Sequence, residues 1–232
     1  MLETVWRRAR ESRRVERWIV ATDDERIADA CAKFGAEALL TDATHPSGTD
    51  RVAEVSRRVD APHDAVLNVQ GDEPLLTPTS LDRLVETFDD PRVEMATLAE
   101  PIGSAAELFD PNVVKVVVAG DGRALYFSRS PIPYHRGVAT RLEADFRAEL
   151  GRRPGGLRGL RKHQGLYAYR RETLQSLARL PPSPLERDEG LEQLRALEAG
   201  MHVVVADSDF RSQAVDTPAD LERVSKILTE AH

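Results

Sequence analysis

The chain has one cysteine in 232 residues, Cys31. A lone thiol makes neither an internal disulfide nor a thiolate metal cage, which excludes dithiol redox chemistry and structural zinc. No apolar run approaches the roughly 18 to 20 residues that span a bilayer, and Met1 to Arg10 carries charges where a signal peptide has its apolar core. These absences predict a cytoplasmic protein with no membrane insertion. Positive charge is in deficit as well: 32 Lys and Arg against 39 Asp and Glu leave a formal charge of −7. General nucleic-acid binding draws on a basic face that displaces counterions, so that class of partner is excluded. Glycine and proline, 14 of each, are too few for collagen or a low-complexity chain, and 41% hydrophobic content suits one compact domain.

What is present alternates. Short β-branched and apolar runs take turns with segments of helical period, the pattern of an α/β fold: a mainly parallel, mixed sheet with helices on both faces. Trp18 to Ala21, Ala38 to Leu40, Ala65 to Val69, Glu94 to Ala99, Leu166 to Tyr169 and Val203 to Ala206 read as strands, Ala65 to Val69 as a central one because it is apolar throughout. Between them, Thr22-Asp23-Asp24-Glu25 has the form of a capping box before a helix with Ile27, Cys31 and Phe34 on one face and Gly35 as its C-terminal cap. Helices follow over Thr49 to Val59 (Val52, Val55 and Val59 inward), from Thr79 to about Phe88, over Glu172 to Leu180, as one long element from Leu185 to Ala199, and from Thr217-Pro218-Ala219-Asp220 onward. Val113 to Val118 and Ala124 to Phe127, joined through Asp121-Gly122, form a β-hairpin inserted into this order. Residues 130 to 161 hold little periodicity apart from a short helix near Ala144 to Leu150 and read as an arm. The whole chain is thus one domain, 1–232, with an inserted hairpin and arm at about 110–162.

Several segments carry chemistry. Asn68-Val69-Gln70-Gly71-Asp72-Glu73-Pro74 ends a buried strand, where open α/β sheets collect ligands; Asp72 suits either a magnesium site or a turn that caps local amides. Asp216 is a partner carboxylate or a helix cap, and Thr217 with Asp220 already provides the capping box. Ser47-Gly48-Thr49-Asp50-Arg51 joins a turn to a helix start whose free amides and Arg suit phosphate or a polar base edge. His163, Tyr167 and Tyr169 share one face of a strand, as a binding row or as a packed pair beside an exposed His. Arginines crowd two places. Arg7, Arg8, Arg10, Arg13 and Arg14 read as a solvated helix face, whereas Arg152, Arg153, Arg158, Arg161 and Lys162 leave room for an anionic ligand.

These segments in this order, together with Ala124-Leu125-Tyr126-Phe127-Ser128-Arg129-Ser130-Pro131-Ile132-Pro133, His163-Gln164-Gly165-Leu166-Tyr167-Ala168-Tyr169, Leu191-Glu192-Gln193-Leu194-Arg195 and Val215-Asp216-Thr217-Pro218, closely resemble the 3-deoxy-manno-octulosonate (Kdo) cytidylyltransferases over nearly the whole chain. The resemblance implies a nucleotide-diphospho-sugar transferase-like fold and the conversion of CTP and Kdo to CMP-Kdo and pyrophosphate for lipopolysaccharide biosynthesis, by a cytoplasmic homodimer that uses magnesium. It implies magnesium at Asp72 and Asp216, nucleotide at Ser47, Gly48, Arg51, Gln70 and Asp72, and the acidic sugar among Arg129, His163, Tyr167, Glu192 and Gln193. Catalysis would fall to Asp72, Asp216 and Arg129.

The resemblance has two departures. Members of the family begin with a strand and a loop resembling PARYxSxRxPGKPL, whose Arg and Lys grip the triphosphate, and Met1-Leu2-Glu3-Thr4-Val5-Trp6 matches the helix after that loop. Either the start is assigned too late or the domain is N-terminally truncated and weakened, and the chain as written is expected to be inactive or nearly so with CTP and Kdo. Gln164 stands where the family more often has an apolar residue. A different sugar-acid cytidylyltransferase, and a non-catalytic remnant that binds only ligand or partner, are the alternatives.

Overall fold

The computed structural model describes residues 1–60, 64–134, 157, 159–215 and 217–230. In chain order the elements are α1 (Leu2–Ala9), β1 (Ile19–Thr22), α2 (Glu25–Phe34), β2 (Glu37–Leu40), α3 (Gly48–Arg58), β3 (Ala65–Asn68), α4 (Pro78–Glu86), β4 (Met95–Pro101), α5 (Ala105–Phe109), β5 (Lys115–Val118), β6 (Ala124–Ser128), β7 (Arg161–Arg170), α6 (Arg171–Leu177), α7 (Pro184–Glu189), α8 (Gln193–Glu198), β8 (Val203–Asp207) and α9 (Pro218–Glu230).

Two sheets result: β1 with β2, and a larger one ordered β6-β5-β7-β4-β8 with β3 beside β7. The α/β class stands, but the parallel majority does not. Among the described residues only β1–β2 and β4–β8 are parallel, and the ten-residue β7 runs antiparallel to β3, β4 and β5. Nor is the apolar run at Ala65 central: among the described residues β3 pairs with β7 alone, and its first three residues are half-buried.

Alternation along β4 sends side chains to both faces. Met95 and Ala99 join Phe127, Tyr169, Leu174 and Leu194 in one core, while Ala96 and Leu98 meet Val5, Leu76, Leu81, Leu84 and Leu166 in the other. Helices therefore cover both faces. Leu81 and Leu84 are fully buried, about 1.5 to 3 kcal/mol of burial each, and fix α4 against the sheet. Trp18 packs into the second core and also against the small cluster of Trp6, Cys31 and Ala36, so it ties the small sheet to the rest.

Local signals explain most element ends. Asp24, rather than Thr22, caps α2 by accepting from the Arg26 amide, and Gly35 closes it at φ 76°. Cys31 is buried as expected, whereas Ile27 is 39% exposed. Thr77, rather than Thr79, caps α4. The inward side of α3 is Thr49, Ala53, Val55 and Ser56, with Val52 half-buried. The helix expected over Leu185 to Ala199 is two helices, parted where Gly190 takes φ 63°. The hairpin forms as β5 and β6. Most of the arm, with the helix near Ala144 to Leu150, lies outside the described residues.

On α1 the arginine cluster is only partly a solvated face. Arg8 donates to the Leu76 carbonyl at 3.0 Å, and Arg10 stacks over Trp6 at 4.6 Å.

Candidate active site

The amino end of α3 meets the carboxyl end of β3. Ser47 caps α3, with its hydroxyl oxygen accepting from the Asp50 amide. Gly48 leaves room for the neighbouring loop: a Cβ there would lie 3.6 Å from Gln70 Nε2 and 3.8 Å from Asn68 Nδ2. Ser47, Gly48 and Gln70 are thereby brought together. Arg51 is turned toward β1 and β2, bonded to Thr41 Oγ1 at 2.5 Å and paired with Asp23 at 3.3 Å. Asp72 is half-buried in the next turn, and its carbonyl accepts from the Val215 amide at 3.0 Å, so the loop before α9 is tied to it. Asp216 itself lies outside the described residues. Thr217 and Asp220 form the expected cap, with the Thr217 hydroxyl oxygen accepting from the Asp220 amide.

A second set of groups comes from the break after α7. The turn at Gly190 leaves Glu192 exposed just ahead of α8, while Gln193 is 4% exposed with its Nε2 buried and without a hydrogen-bond partner among the described residues. Thr49, Tyr167, Tyr169, Glu192, Gln193 and Arg195 line one cleft, and Thr49 donates to Glu192 Oε2 at 2.8 Å. This contact joins the α3 end to the α7–α8 break. Arg195 is held by Glu186 and the Leu180 carbonyl. Arg129 approaches the same break from β6 but spends its guanidinium on the carbonyls of Glu189, Pro111 and Gly190. There it fastens the hairpin to α7.

His163, Tyr167 and Tyr169 do form one row, with ring centroids 5.4 and 6.0 Å apart, but the His is buried rather than exposed. A bulge in β7 explains its surroundings: Thr97 pairs with Tyr167 and Leu98 with Gln164, which leaves Gly165 and Leu166 outside the ladder. The Thr97 hydroxyl lies 2.8 Å from the Leu166 carbonyl and 3.1 Å from that of Gln164, and His163 Nε2 sits 3.0 Å from it. Burial pushes the His163 pKa down to about 3, so the ring is neutral at physiological pH. Because the unfolded chain takes up a proton near pH 6.5 and the folded one near 3, acid must cost stability through that window. Replacing His163 by Gln is expected to recover about 2 kcal/mol of the loss between pH 7 and pH 5, measured by urea unfolding at both pH values. Equal pH dependence in the two proteins would contradict it.

One polar group beneath the Asp72 turn was not foreseen. Glu73 accepts from the Ser212 hydroxyl at 2.5 Å, Glu100 accepts from the Ser212 amide at 3.1 Å, and Lys162 lies 3.4 Å from Glu100. Burial pushes the Glu73 pKa up to about 6. Lys162 and Arg161, the described members of the second basic cluster, are spent on Glu100 and Asp207. Gln164 is buried and donates to the Phe210 carbonyl at 3.0 Å, with its own oxygen unpartnered among the described residues.

Residues 1–203 match the sequence profile of the family described as cytidylyltransferase. The 3-deoxy-manno-octulosonate cytidylyltransferase of Syntrophotalea carbinolica is 46% identical over 233 residues, covering all of this chain and 87% of its own length. The chain belongs to the 3-deoxy-manno-octulosonate cytidylyltransferase family. The Halorhodospira halophila member is 48% identical over 231 residues, with 98% and 86% covered. A solved CMP:2-keto-3-deoxy-manno-octonic acid synthetase complexed with CTP superimposes with a TM-score of 0.86 at 40% identity, covering all of this chain and 88% of its own. The 4-diphosphocytidyl-2C-methyl-D-erythritol synthase of Anaerococcus prevotii, at TM-score 0.62 and 11% identity, shares the fold alone. Among the described residues no helix is long and apolar enough to cross a membrane.

Proposed function

We propose that the chain is a nucleotidyltransferase that moves the cytidylyl group of CTP to Kdo, giving CMP-Kdo and pyrophosphate for lipopolysaccharide biosynthesis. The observation that carries this reading is full-chain similarity to the synthetase solved with CTP, at 40% identity and TM-score 0.86. The nucleotide lies along Ser47, Gly48 and Gln70, where an α-helix end offers free amides to an anion. Arg51 supports that edge from beside Asp23. The sugar acid lies at the mouth of the small pocket lined by Tyr167, Glu192 and Gln193, where the Gln193 amide, unpartnered among the described residues, gives a donor and Glu192 an acceptor for sugar hydroxyls. His163 backs Tyr167 as a neutral ring. Arg129 adds positive charge from the hairpin, through its fixed place near Gly190.

The anomeric oxygen of the sugar attacks the α-phosphorus of CTP, the bond to the β-phosphate oxygen breaks, pyrophosphate leaves, and the hydroxyl proton passes to water. Positioning two anions against each other is the main task of the protein groups. Asp72 fits magnesium by its chemistry. It is a half-buried carboxylate at the carboxyl end of a strand, and one or two carboxylates with phosphate oxygens and water would suit the ion. Asp72 and Asp216 are the residues that would hold it, and it supplies charge neutralisation on the phosphate oxygens.

The test is pyrophosphate release from CTP with Kdo, an 8-amino Kdo analogue and sialic acid in parallel, with the product identified by phosphorus NMR. Turnover of the analogue in place of Kdo would move the assignment to another sugar-acid cytidylyltransferase. Binding of ligand with no turnover by any form of the protein would leave the remnant reading.

The same reading includes a cytoplasmic homodimer, since CTP is a cytoplasmic substrate and the β5–β6 hairpin ends in an edge strand with Leu125 48% exposed. Light scattering at micromolar concentration is expected to give twice 25.8 kDa. A mass near 25.8 kDa would refute the dimer.

A further inference from the structure

Thr49 is the second residue of α3 and is 8% exposed. Its hydroxyl donates to Glu192 Oε2 at 2.8 Å across 143 residues of sequence. Tyr169, 1% exposed, lines the same pocket. Thr49 has a single hydroxyl proton and gives it to a carboxylate, which accepts only. One side-chain bond thus joins the α3 end to the α7–α8 break.

Glu192 needs such a support. It stands in the exposed turn between two short helices, and an unrestrained Glu gives up its rotamer freedom each time it binds. Fixing Oε2 leaves Oε1 as the acceptor for a ligand hydroxyl. We propose that Thr49 is a positioning residue: it holds the Glu192 carboxylate for the sugar acid and links that side of the cleft to the nucleotide side at Asn68 and Gln70. The proposal rests on the reading of Glu192 as a sugar-binding group.

The experiment is calorimetric titration of the chain with Kdo and, separately, with magnesium and CTP. Thr49→Val keeps the volume and removes the donor. It is expected to weaken Kdo binding about tenfold and to change CTP binding less than twofold, and Thr49→Ser should restore Kdo binding to within twofold. Glu192→Ala should weaken it at least tenfold, and the Thr49→Val/Glu192→Ala double variant should match Glu192→Ala alone, since Thr49 acts through Glu192. Equal losses for Kdo and CTP in Thr49→Val, or additive losses in the double variant, would overturn the positioning role while the sugar reading stands. If Thr49→Val does not fold, an unchanged Kdo affinity in Thr49→Ala overturns the positioning role. A wild-type chain that binds no Kdo, or an unaffected Glu192→Ala, would instead overturn the sugar reading and the proposal with it.

Discussion

Asp72→Asn is expected to lower pyrophosphate release about 100-fold or more while leaving the melting temperature within about 2 °C. The substitution keeps the shape of the side chain and removes its charge. Neutralising the phosphate oxygens is worth several kcal/mol in the transition state, and about 2.7 kcal/mol is already 100-fold in rate. Stability should fall far less than turnover, because Asn keeps the side chain's shape and backbone bonds hold the turn: the Asp72 carbonyl accepts from Val215, and the Glu73 amide donates to the Gln70 carbonyl at 3.4 Å. Calorimetric titration with magnesium gives a second readout, which should fall in parallel with activity. Losses of equal size in stability and turnover would show Asp72 to be a structural cap and remove it from the metal site.

The parts of the molecule that were legible in the sequence are those set by local chemistry. Gly35 and the Asp121-Gly122 turn mark a helix end and a hairpin because few residues tolerate the backbone they require. Cys31 is buried because helical period places it inward. The family was legible for a different reason: the quoted segments in their order resemble it, and residues 1–203 match the cytidylyltransferase family.

What was illegible depends on long-range pairing. Nothing in His163-Gln164-Gly165-Leu166-Tyr167 announces a bulge; it exists because Thr97 on β4 reaches carbonyls that the ladder leaves open, and it decides that His163 is buried and neutral. The central place of β7 depends in the same way on three antiparallel partners that local alternation does not reveal. Gly190 reads as an ordinary residue of a long amphipathic run, yet its φ of 63° ends α7 and presents Glu192 to the cleft. Thr49 reads as a turn residue, since only a contact across 143 residues of chain sets its hydroxyl against Glu192. The Arg129 guanidinium illustrates the converse, a residue singled out for charge whose donors go to three backbone carbonyls.

A version of the chain extended ahead of Met1 by a strand and a loop resembling PARYxSxRxPGKPL is expected to release pyrophosphate at least about 100-fold faster than the 232-residue chain and to melt about 10 °C higher. Two features motivate this. The sheet is in two parts, with β1 paired only to β2 and β3 only to β7 among the described residues, while α3 packs on both β1 and β3. A strand placed under α3 would pair with both free edges and bury the half-exposed apolar residues Val20, Val66 and Leu67, worth several kcal/mol, and 1 kcal/mol moves the melting temperature of a domain this size by about 2 to 4 °C. The second feature is electrostatic. Ser47, Gly48 and Gln70 supply donors for one part of a nucleotide, while Arg7, Arg8 and Arg10 are already engaged at Glu3, Leu76 and Trp6, so a loop with its own Arg and Lys would add cations for the β- and γ-phosphates. One lost donor to developing negative charge typically costs 100-fold or more. Assaying both forms at saturating magnesium decides the matter: comparable pyrophosphate release would mean that the triphosphate is gripped by groups within the 232 residues, and the placement of the nucleotide at the α3 end would have to be abandoned.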